Sequence, residues 1–127
     1  MTAKTTGPSS NALTYVSLRA PQVLRAQLIS TSHAHGCTLR ALCQETIAAF
    51  AEHTEALQRR NSLGPSHFVA TYKAPGGALI GFWMERELAR RVDSLAASGH
   101  VSRRAFCYTA FTRAFPFIQL SEHRHEN

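Results

Sequence analysis

The sequence predicts an α+β fold in which one chain carries two strand–helix–helix repeats. Apolar residues recur with the same spacing 64 residues apart, and this recurrence is the main observation behind the prediction. Each copy contains a short alternating stretch followed by two stretches of helical periodicity. Each copy is also too small to bury its own core, because a chain of 127 residues supplies one modest core. Two such units in one chain predict a built-in pseudo-dimer.

The repeated positions keep their apolar character although few residues are identical. In the first copy these positions are Val16, Leu18, Ala20, Leu24, Leu28, Leu42, Cys43 and Ile47. In the second copy they are Ile80, Phe82, Met84, Leu88, Val92, Phe106, Cys107 and Phe111. The predicted organisation is a flexible tail at 1–13, a first repeat at 14–57, a basic connector at 58–78, a second repeat at 79–115 and a tail at 116–127. Both repeats therefore belong to one folded domain at 14–115.

The first repeat is predicted to begin with a strand and to continue through two helices. Residues 14–19 alternate polar and apolar side chains, as a half-buried strand does. Pro21 suits the first residue of a helix because proline has no N–H to lose there. Gly36 is expected just past the C-terminus of that helix. Thr38 is then the expected N-cap of a second helix, which ends near Leu57.

The connector between the repeats is long for a loop in a compact domain. It is interrupted by Gly64-Pro65 and by a Pro-Gly-Gly turn at 75–77. This length predicts a functional or bridging role for the segment. Residues 68–72 within it are a candidate for a short additional strand.

The second repeat follows the same plan with different residues. Residues 79–84 form the predicted strand, and the predicted helix after it covers residues 85–97. Gly99 is expected to break this helix, and Ser102 is expected to cap the next one. Pro116 is expected to stop that last helix, because proline removes a helix hydrogen bond and clashes with the preceding turn.

The chain has a net charge of +6, and the excess is mostly arginine. Residues 14–57 hold three charges of each sign, whereas residues 58–78 hold three basic and no acidic side chains. Residues 79–115 hold six arginines against three acidic residues. The planar guanidinium matches phosphate oxygens, so this distribution favours a phosphate-bearing partner. A basic surface that serves only solubility is the alternative.

Several classes of site have no support in the residue pattern. The three cysteines form no C-x-x-C pair, so a disulfide framework is not expected. Two pairs of histidines lie close together in the sequence, His33 with His35 and His123 with His125. Neither pair matches a known spacing of metal ligands. No nucleophile–base arrangement, paired carboxylates or Gly-rich phosphate loop occurs. We therefore expect no metal, no cofactor and no catalytic residue, and we do not expect an enzyme.

The sequence also bears on the cellular location. No apolar run approaches the roughly 18–20 residues that span a bilayer. The first ten residues lack the apolar region of a secretory signal. We therefore expect a cytoplasmic protein without a membrane partner.

The order strand–helix–helix, with a Gly-x-(Ser/Thr) break between the helices, resembles the ribbon-helix-helix family of DNA-binding proteins. Val16-Ser17-Leu18-Arg19-Ala20-Pro21 is similar to the strand of that family and to the proline that opens its first helix. The segment Gly36-Cys37-Thr38-Leu39-Arg40-Ala41-Leu42 is similar to the turn of that family. The resemblance covers 14–57 and 79–115. Two repeats in one chain are similar to the tandem members found in T-DNA transfer and in conjugative relaxosomes.

The resemblance implies both a geometry and a function. Members of the family pair two strands into an antiparallel ribbon that enters the major groove of DNA. The expected partner is therefore double-stranded DNA, bound by a monomeric pseudo-dimer with one ribbon and four helices. The implied setting is accessory work in conjugative or T-DNA transfer, alongside a relaxase or other DNA-transfer proteins. Plasmid maintenance and transcriptional repression are the other settings.

Base contacts are expected from the outward side chains of the first strand. Alternate side chains of a strand point to opposite faces, so Tyr15, Ser17 and Arg19 share the face opposite the core. Arg19 suits bidentate contact with guanine, and the Ser17 hydroxyl can bond to several bases. A polar strand face without a ligand is the alternative.

The second strand is expected to read DNA differently. Its outward residues are Leu79, Gly81 and Trp83, none of which is a good hydrogen-bonding reader. Trp83 is expected either to contact a thymine methyl or sugar, or to be covered by the connector. Both outcomes predict an asymmetric site rather than a palindrome.

Phosphate contacts are expected at the N-terminus of the second helix of each repeat. Free N–H groups and the positive end of the helix dipole meet there. Such contacts fix affinity and register rather than sequence. The candidates, with the basic residues of the connector, are Thr38, Leu39, Arg40, Ser102, Arg103, Arg104, Arg59, Arg60 and Lys73. Thr38 and Ser102 are also ordinary N-caps whether or not DNA binds.

Two other readings of the same pattern lead to different partners. The apolar second strand and the aromatic final helix are compatible with a protein-interaction module on a degenerate ribbon-helix-helix scaffold. Alternatively, the two copies exchange between chains and form a true dimer.

Overall fold

A computed structural model describes residues 13–115 and has the predicted α+β composition. Within these residues, two strands form one antiparallel sheet and four helices surround it. The elements are β1 (Leu13–Ala20), α1 (Gln22–Ala34), α2 (Leu39–Arg59), β2 (Ala78–Glu85), α3 (Arg86–Ser98) and α4 (Arg103–Ala114). The predicted tails, with Pro116 and the two C-terminal histidines, lie outside the described residues apart from Leu13.

The predicted elements begin and end within about two residues of the observed ones. Pro21 is the N-cap of α1 rather than its first helical residue, since its ψ of 145° is extended. Thr38 caps α2 as predicted, and its Oγ1 accepts a hydrogen bond of 3.0 Å from the Ala41 N–H. Ser102 caps α4 in the same way, accepting from the Ala105 N–H at 3.1 Å.

The two strands pair along their whole length. The register runs from Leu13 opposite Glu85 to Ala20 opposite Ala78. Ser17 lies opposite Gly81 near the centre. One face of this ribbon packs on the helices, and the other face is turned to solvent.

The core lies between the ribbon and the helices. All sixteen repeated apolar positions are buried, including both cysteines among them. α2 packs against β2 and α4 packs against β1, so each of these helices lies beside the strand from the other half of the chain. Burial raises the pKa of Cys43 and of Cys107 to about 12. Their thiols therefore stay protonated and act as small apolar groups.

The two helix–helix turns have the same geometry. Gly36 and His100 both adopt positive φ, at 67° and 60°. Gly99 does break α3, but as its C-cap residue at φ −94°, and the following histidine takes the left-handed conformation. Gly99 serves a close approach instead, because a Cβ there would overlap the ring of Phe68.

The connector contains no strand at residues 68–72, so that prediction is wrong. The segment bonds to helices rather than to another strand. The Val69 N–H donates to Thr109 Oγ1 at 2.9 Å. The ring of Phe68 packs between Phe50 and Phe106, at centroid distances of 6.1 and 5.6 Å. The connector thus packs against the core through Phe68.

His67 fixes the connector to the helices. The residue is buried, and its Nε2 lies 2.8 Å from Thr54 Oγ1. Its carbonyl accepts a 2.8 Å hydrogen bond from Arg113 Nη2. Burial lowers the pKa of His67, and the nearby charges of Arg113 and His53 lower it further. Its neutral form is therefore the one that the fold stabilises.

None of the helices in residues 13–115 combines the length and the apolar character needed to cross a bilayer.

Candidate nucleic-acid interface

The predicted base-reading side chains share the solvent face of the ribbon. Tyr15 and Arg19 of β1 are exposed, and Ser17 between them is partly exposed. Leu79 and Trp83 of β2 are exposed on the same face. The strand periodicity and the register place these five side chains together, as the alternation in the sequence predicts.

Tyr15 and Trp83 form an aromatic pair across the ribbon. They face each other in the register, and their rings meet edge to face with centroids 5.1 Å apart. The Tyr15 ring lies over Gly81, where a Cβ atom would overlap the tyrosine hydroxyl. Gly81 therefore makes room for Tyr15 rather than contributing a contact of its own.

Trp83 is not covered by the connector. The residue is 50% exposed, so the alternative in which the connector shields it is wrong. The connector instead reaches the far end of the ribbon, where the ring of Tyr72 packs against Gly77.

Large apolar side chains are concentrated on this face. Five large hydrophobic residues are exposed among the residues that the structure describes, and four of them project from the ribbon. Those four are Leu13, Tyr15, Leu79 and Trp83. A cluster of exposed apolar side chains marks a binding surface more often than single exposed apolar residues do.

The N-termini of α2 and α4 flank the ribbon on its two sides. Arg40 Nε donates to the Trp83 carbonyl at 3.0 Å, and Arg104 Nε donates to the Ser17 carbonyl at 3.0 Å. Each bond uses one of the five N–H donors of a guanidinium. Both side chains are exposed, and each belongs to the second residue of its helix. Positive charge and helix N–H groups therefore border the exposed face on both sides.

A cleft of about 320 Å³ runs beside β1 at the Arg19 end of the ribbon. Its walls include Ser17, Arg19 and Arg104, with Tyr72 of the connector closing one side. Two guanidinium groups thus line one open groove, which suits an anionic ligand, and Leu18 and Leu79 add apolar surface to it.

Arg103 differs from the other predicted phosphate ligands because an acidic side chain already holds it. Its Nε and Nη2 donate to the two carboxylate oxygens of Asp93 at 2.8 and 2.6 Å. This paired hydrogen bonding lowers the pKa of Asp93 and raises that of Arg103. The pair ties α3 to α4 and offsets the charge of Arg103.

The basic connector residues are not brought to one place. Arg59 and Arg60 are exposed at the C-terminal end of α2. α2 has 21 residues, so that end lies about 30 Å from Arg40 at 1.5 Å per residue. Lys73 is exposed next to Tyr72, at the Arg19 end of the ribbon.

Two side chains that brace the ribbon edge have no distinctive signal in the sequence. Arg25 Nε donates to the Leu79 carbonyl at 3.1 Å, and Gln44 Oε1 accepts from the Glu85 N–H at 2.6 Å. Both sit on ordinary polar helix faces, and only the tertiary structure brings them to β2. They satisfy polar groups of β2 that would otherwise form an open strand edge.

Comparison of the chain with family models, curated proteins and solved structures found no match. Across residues 13–115, no three His, Cys, Asp or Glu side chains converge in a way that could hold a metal ion.

Proposed function

We propose that this protein binds double-stranded DNA and places its ribbon in the major groove. The observation that carries the proposal is an exposed ribbon face flanked by two helix N-termini, each with an arginine bonded to the ribbon. The major groove is about 12 Å wide and admits a two-stranded β-ribbon. Helix N-termini bind phosphate through free N–H groups and the positive dipole end. One arrangement therefore supplies both base reading and backbone clamping.

We also infer that the chain is a single-chain pseudo-dimer of the ribbon-helix-helix type. The support is the equivalence of positions 64 apart. Ser17 faces Gly81 near the ribbon centre, and Thr38 and Ser102 cap corresponding helices. One monomer of 14.0 kDa then supplies both halves of the interface. Sedimentation of a species twice that mass would instead indicate that the copies exchange between chains.

The cellular setting follows from the resemblance rather than from the geometry. An accessory role in conjugative or T-DNA transfer, next to a relaxase and in the cytoplasm, is the setting that we propose. Plasmid maintenance and transcriptional repression would use the same interface.

Fluorescence anisotropy of a labelled duplex at several salt concentrations tests DNA binding. We expect the logarithm of the binding constant to fall linearly with the logarithm of the salt concentration. The reason is that arginines that contact phosphates release the cations condensed on the DNA. The double variant Arg19→Ala, Arg104→Ala removes two charges at the ribbon and is expected to weaken binding. The loss of the Arg104 phosphate contact should reduce the salt slope by about 1.

The double variant Arg59→Ala, Arg60→Ala is the matched control. It removes the same charge at the far end of α2, so we expect a smaller loss of affinity. Absence of duplex binding at low salt would contradict the proposal. Equal losses for the two double variants would show that binding depends on net charge and not on the ribbon.

Docking of a protein on the same face is the second candidate function. The observation that favours it is the cluster of Leu13, Tyr15, Leu79 and Trp83 on the exposed face. In this case one protein should co-purify from the native host in stoichiometric amount without DNA. Trp83→Asp should abolish that co-purification, whereas Val23→Asp, on the exposed part of α1, should not.

A further inference from the structure

The two strands of the ribbon offer different chemistry on one face. β1 contributes the Ser17 hydroxyl and the Arg19 guanidinium, and nearer its start the exposed Leu13 and Tyr15. β2 contributes Leu79 and Trp83, which are 59% and 50% exposed. The single tryptophan of the chain is thus exposed within a cluster of large apolar side chains and not as an isolated surface residue. This cluster favours a partner that carries an apolar group.

Trp83 is held in position on the ribbon. Its ring meets Tyr15 edge to face, and Gly81 leaves the space that Tyr15 occupies. The carbonyl of Trp83 accepts the hydrogen bond from Arg40. The Trp83 side chain thus projects from a braced backbone beside a helix N-terminus. An aromatic group fixed in this way loses little conformational freedom when it binds.

The edges of base pairs in the major groove carry one kind of apolar group, the 5-methyl of thymine. Apart from the small C5–H of cytosine, the other groups that distinguish base pairs there are hydrogen-bond donors or acceptors, and covering one of these without a partner costs free energy. The flanking Arg25, Arg40 and Arg104 favour a polyanion as the carrier of the apolar group. Thymine in duplex DNA combines both properties.

We propose that the Tyr15–Trp83 pair reads a thymine methyl at one end of the ribbon, while Arg19 reads a guanine at the other end. The inference rests on the proposed DNA binding and specifies its target. Arg19 lies four residues from Tyr15, which is about 14 Å along an antiparallel strand. At 3.4 Å per base pair, the guanine and the thymine are about four base pairs apart. Because the two ends of the ribbon contact different bases, the site is not a palindrome.

Selection from a random duplex pool, followed by replacement of each thymine with 2′-deoxyuridine, tests the inference. Deoxyuridine keeps the base pair and removes only the methyl group. We expect affinity to fall about fourfold at one or two thymine positions, the effect of one buried methyl. In Trp83→Ala the same replacement should leave affinity unchanged. In Val23→Ala, which truncates an equally exposed side chain off the ribbon, the fourfold effect should persist.

The outcomes separate this inference from the proposed function. Selected duplexes that bind equally well with uracil at every position would overturn thymine reading and leave DNA binding intact. A uracil effect that persists in Trp83→Ala would also overturn it, because another residue would then contact the methyl. Failure to enrich or bind any duplex at low salt would contradict DNA binding itself. Selected sites that prove to be palindromes would exclude the different base preference of the two ends of the ribbon.

Discussion

β1 and β2 share one geometry and differ in what they present to solvent. Their central inward side chains, among them Leu18 and Phe82, are buried apolar groups. The corresponding outward side chains change from Tyr15, Ser17 and Arg19 in β1 to Leu79, Gly81 and Trp83 in β2. Packing restricts the inner face because interiors are close-packed and tolerate little change of volume. The outer face has no such restriction, so the difference between the strands lies where a ligand would bind.

The helices that flank the ribbon show the same division between retained and altered positions. The caps of α2 and α4 are alike, and so are the bonds from Arg40 and Arg104 to the strands. The residue before each arginine differs, because Arg103 pairs with Asp93 while the corresponding position of α2 is Leu39. The contacts that position the ribbon are thus common to both halves, and the ion pair is particular to one.

The largest expected effect contrasts the inner and outer faces of β2. Phe82→Ala removes a buried ring that packs against Phe111, and we expect a loss of about 3–5 kcal/mol in unfolding free energy. Trp83→Ala, on the next residue, removes a half-exposed ring. Its loss should stay near the 0.5–1.5 kcal/mol typical of an aromatic pair. Urea unfolding of both variants gives the comparison, and equal losses would show that Trp83 also belongs to the core.

The next effect contrasts the two strands on the outer face. Arg19→Ala should lower affinity for the selected duplex by about 1–3 kcal/mol and make binding indifferent to the base pair that Arg19 reads. Leu79→Ala, at the position directly opposite, should retain that base preference. Anisotropy on the selected duplex and on each single base-pair change measures both. If Arg19→Ala weakens all duplexes equally, Arg19 contacts phosphate instead of a base.

The elements of this fold could be predicted because local signals and packing agree. The alternation in 14–19 predicts a strand, Thr38 and Ser102 are predicted to cap helices, and the apolar positions are predicted to face the core. The structure contains the strand, both caps and the buried apolar positions. Two-residue and 3.6-residue periodicities are local properties, so one sequence is enough to detect them. The orientation of Tyr15 and Trp83 follows from the same alternation.

The contacts that define the candidate site could not be predicted in this way. Two of these contacts join residues that are far apart in the chain: the packing of Tyr15 over Gly81, and the hydrogen bond from Arg104 to the Ser17 carbonyl. The exposure of Trp83 likewise depends on where the distant connector packs. The segment at 68–72 has strand-like composition, but it packs on the helices because Phe68 fills a space beside Gly99. Tertiary packing overrides β propensity in such cases.

A smaller effect is expected at the centre of the ribbon. Gly81→Ala places a methyl group where the Tyr15 hydroxyl lies, so the ring must move. We expect a change in the near-ultraviolet circular dichroism of the Tyr15–Trp83 pair with little loss of stability, because the displaced atom is the end of a flexible side chain.

The double variant Tyr15→Ala, Gly81→Ala removes that overlap. It should recover about 0.4–1 kcal/mol relative to Tyr15→Ala alone, since alanine restricts the unfolded chain more than glycine does. Ser17→Ala, at the position opposite, is the control that should leave the aromatic signal unchanged. An unchanged spectrum in Gly81→Ala would contradict the packing of Tyr15 over Gly81.

The smallest effect concerns the ion pair that distinguishes α4 from α2. Hydrogen bonding to Arg103 lowers the pKa of Asp93 from its usual value of 3.8. The unfolded chain therefore binds this proton more readily than the folded one, and stability rises with pH across the interval between the two pKa values. The stabilisation is complete above pH 3.8 and disappears as the pH falls through the lower, folded-state pKa. Since both side chains are substantially exposed, its size should be about 0.2–1 kcal/mol.

Asp93→Asn should remove that part of the acid dependence while Glu55→Gln removes the part due to the Glu55–Arg91 pair, whose carboxyl pKa is also lowered. Urea midpoints at pH 7 and below pH 3 measure both contributions.

A second test of the ion pair replaces Asp93 with Ile and Arg103 with Leu, the residues found 64 positions earlier at 29 and 39. We expect this double variant to be within about 1 kcal/mol of the wild type at pH 7, because an exposed ion pair contributes only about 0.2–1 kcal/mol. If it is less stable by more than 1 kcal/mol, the two halves differ in the packing around α4 and not only in this ion pair.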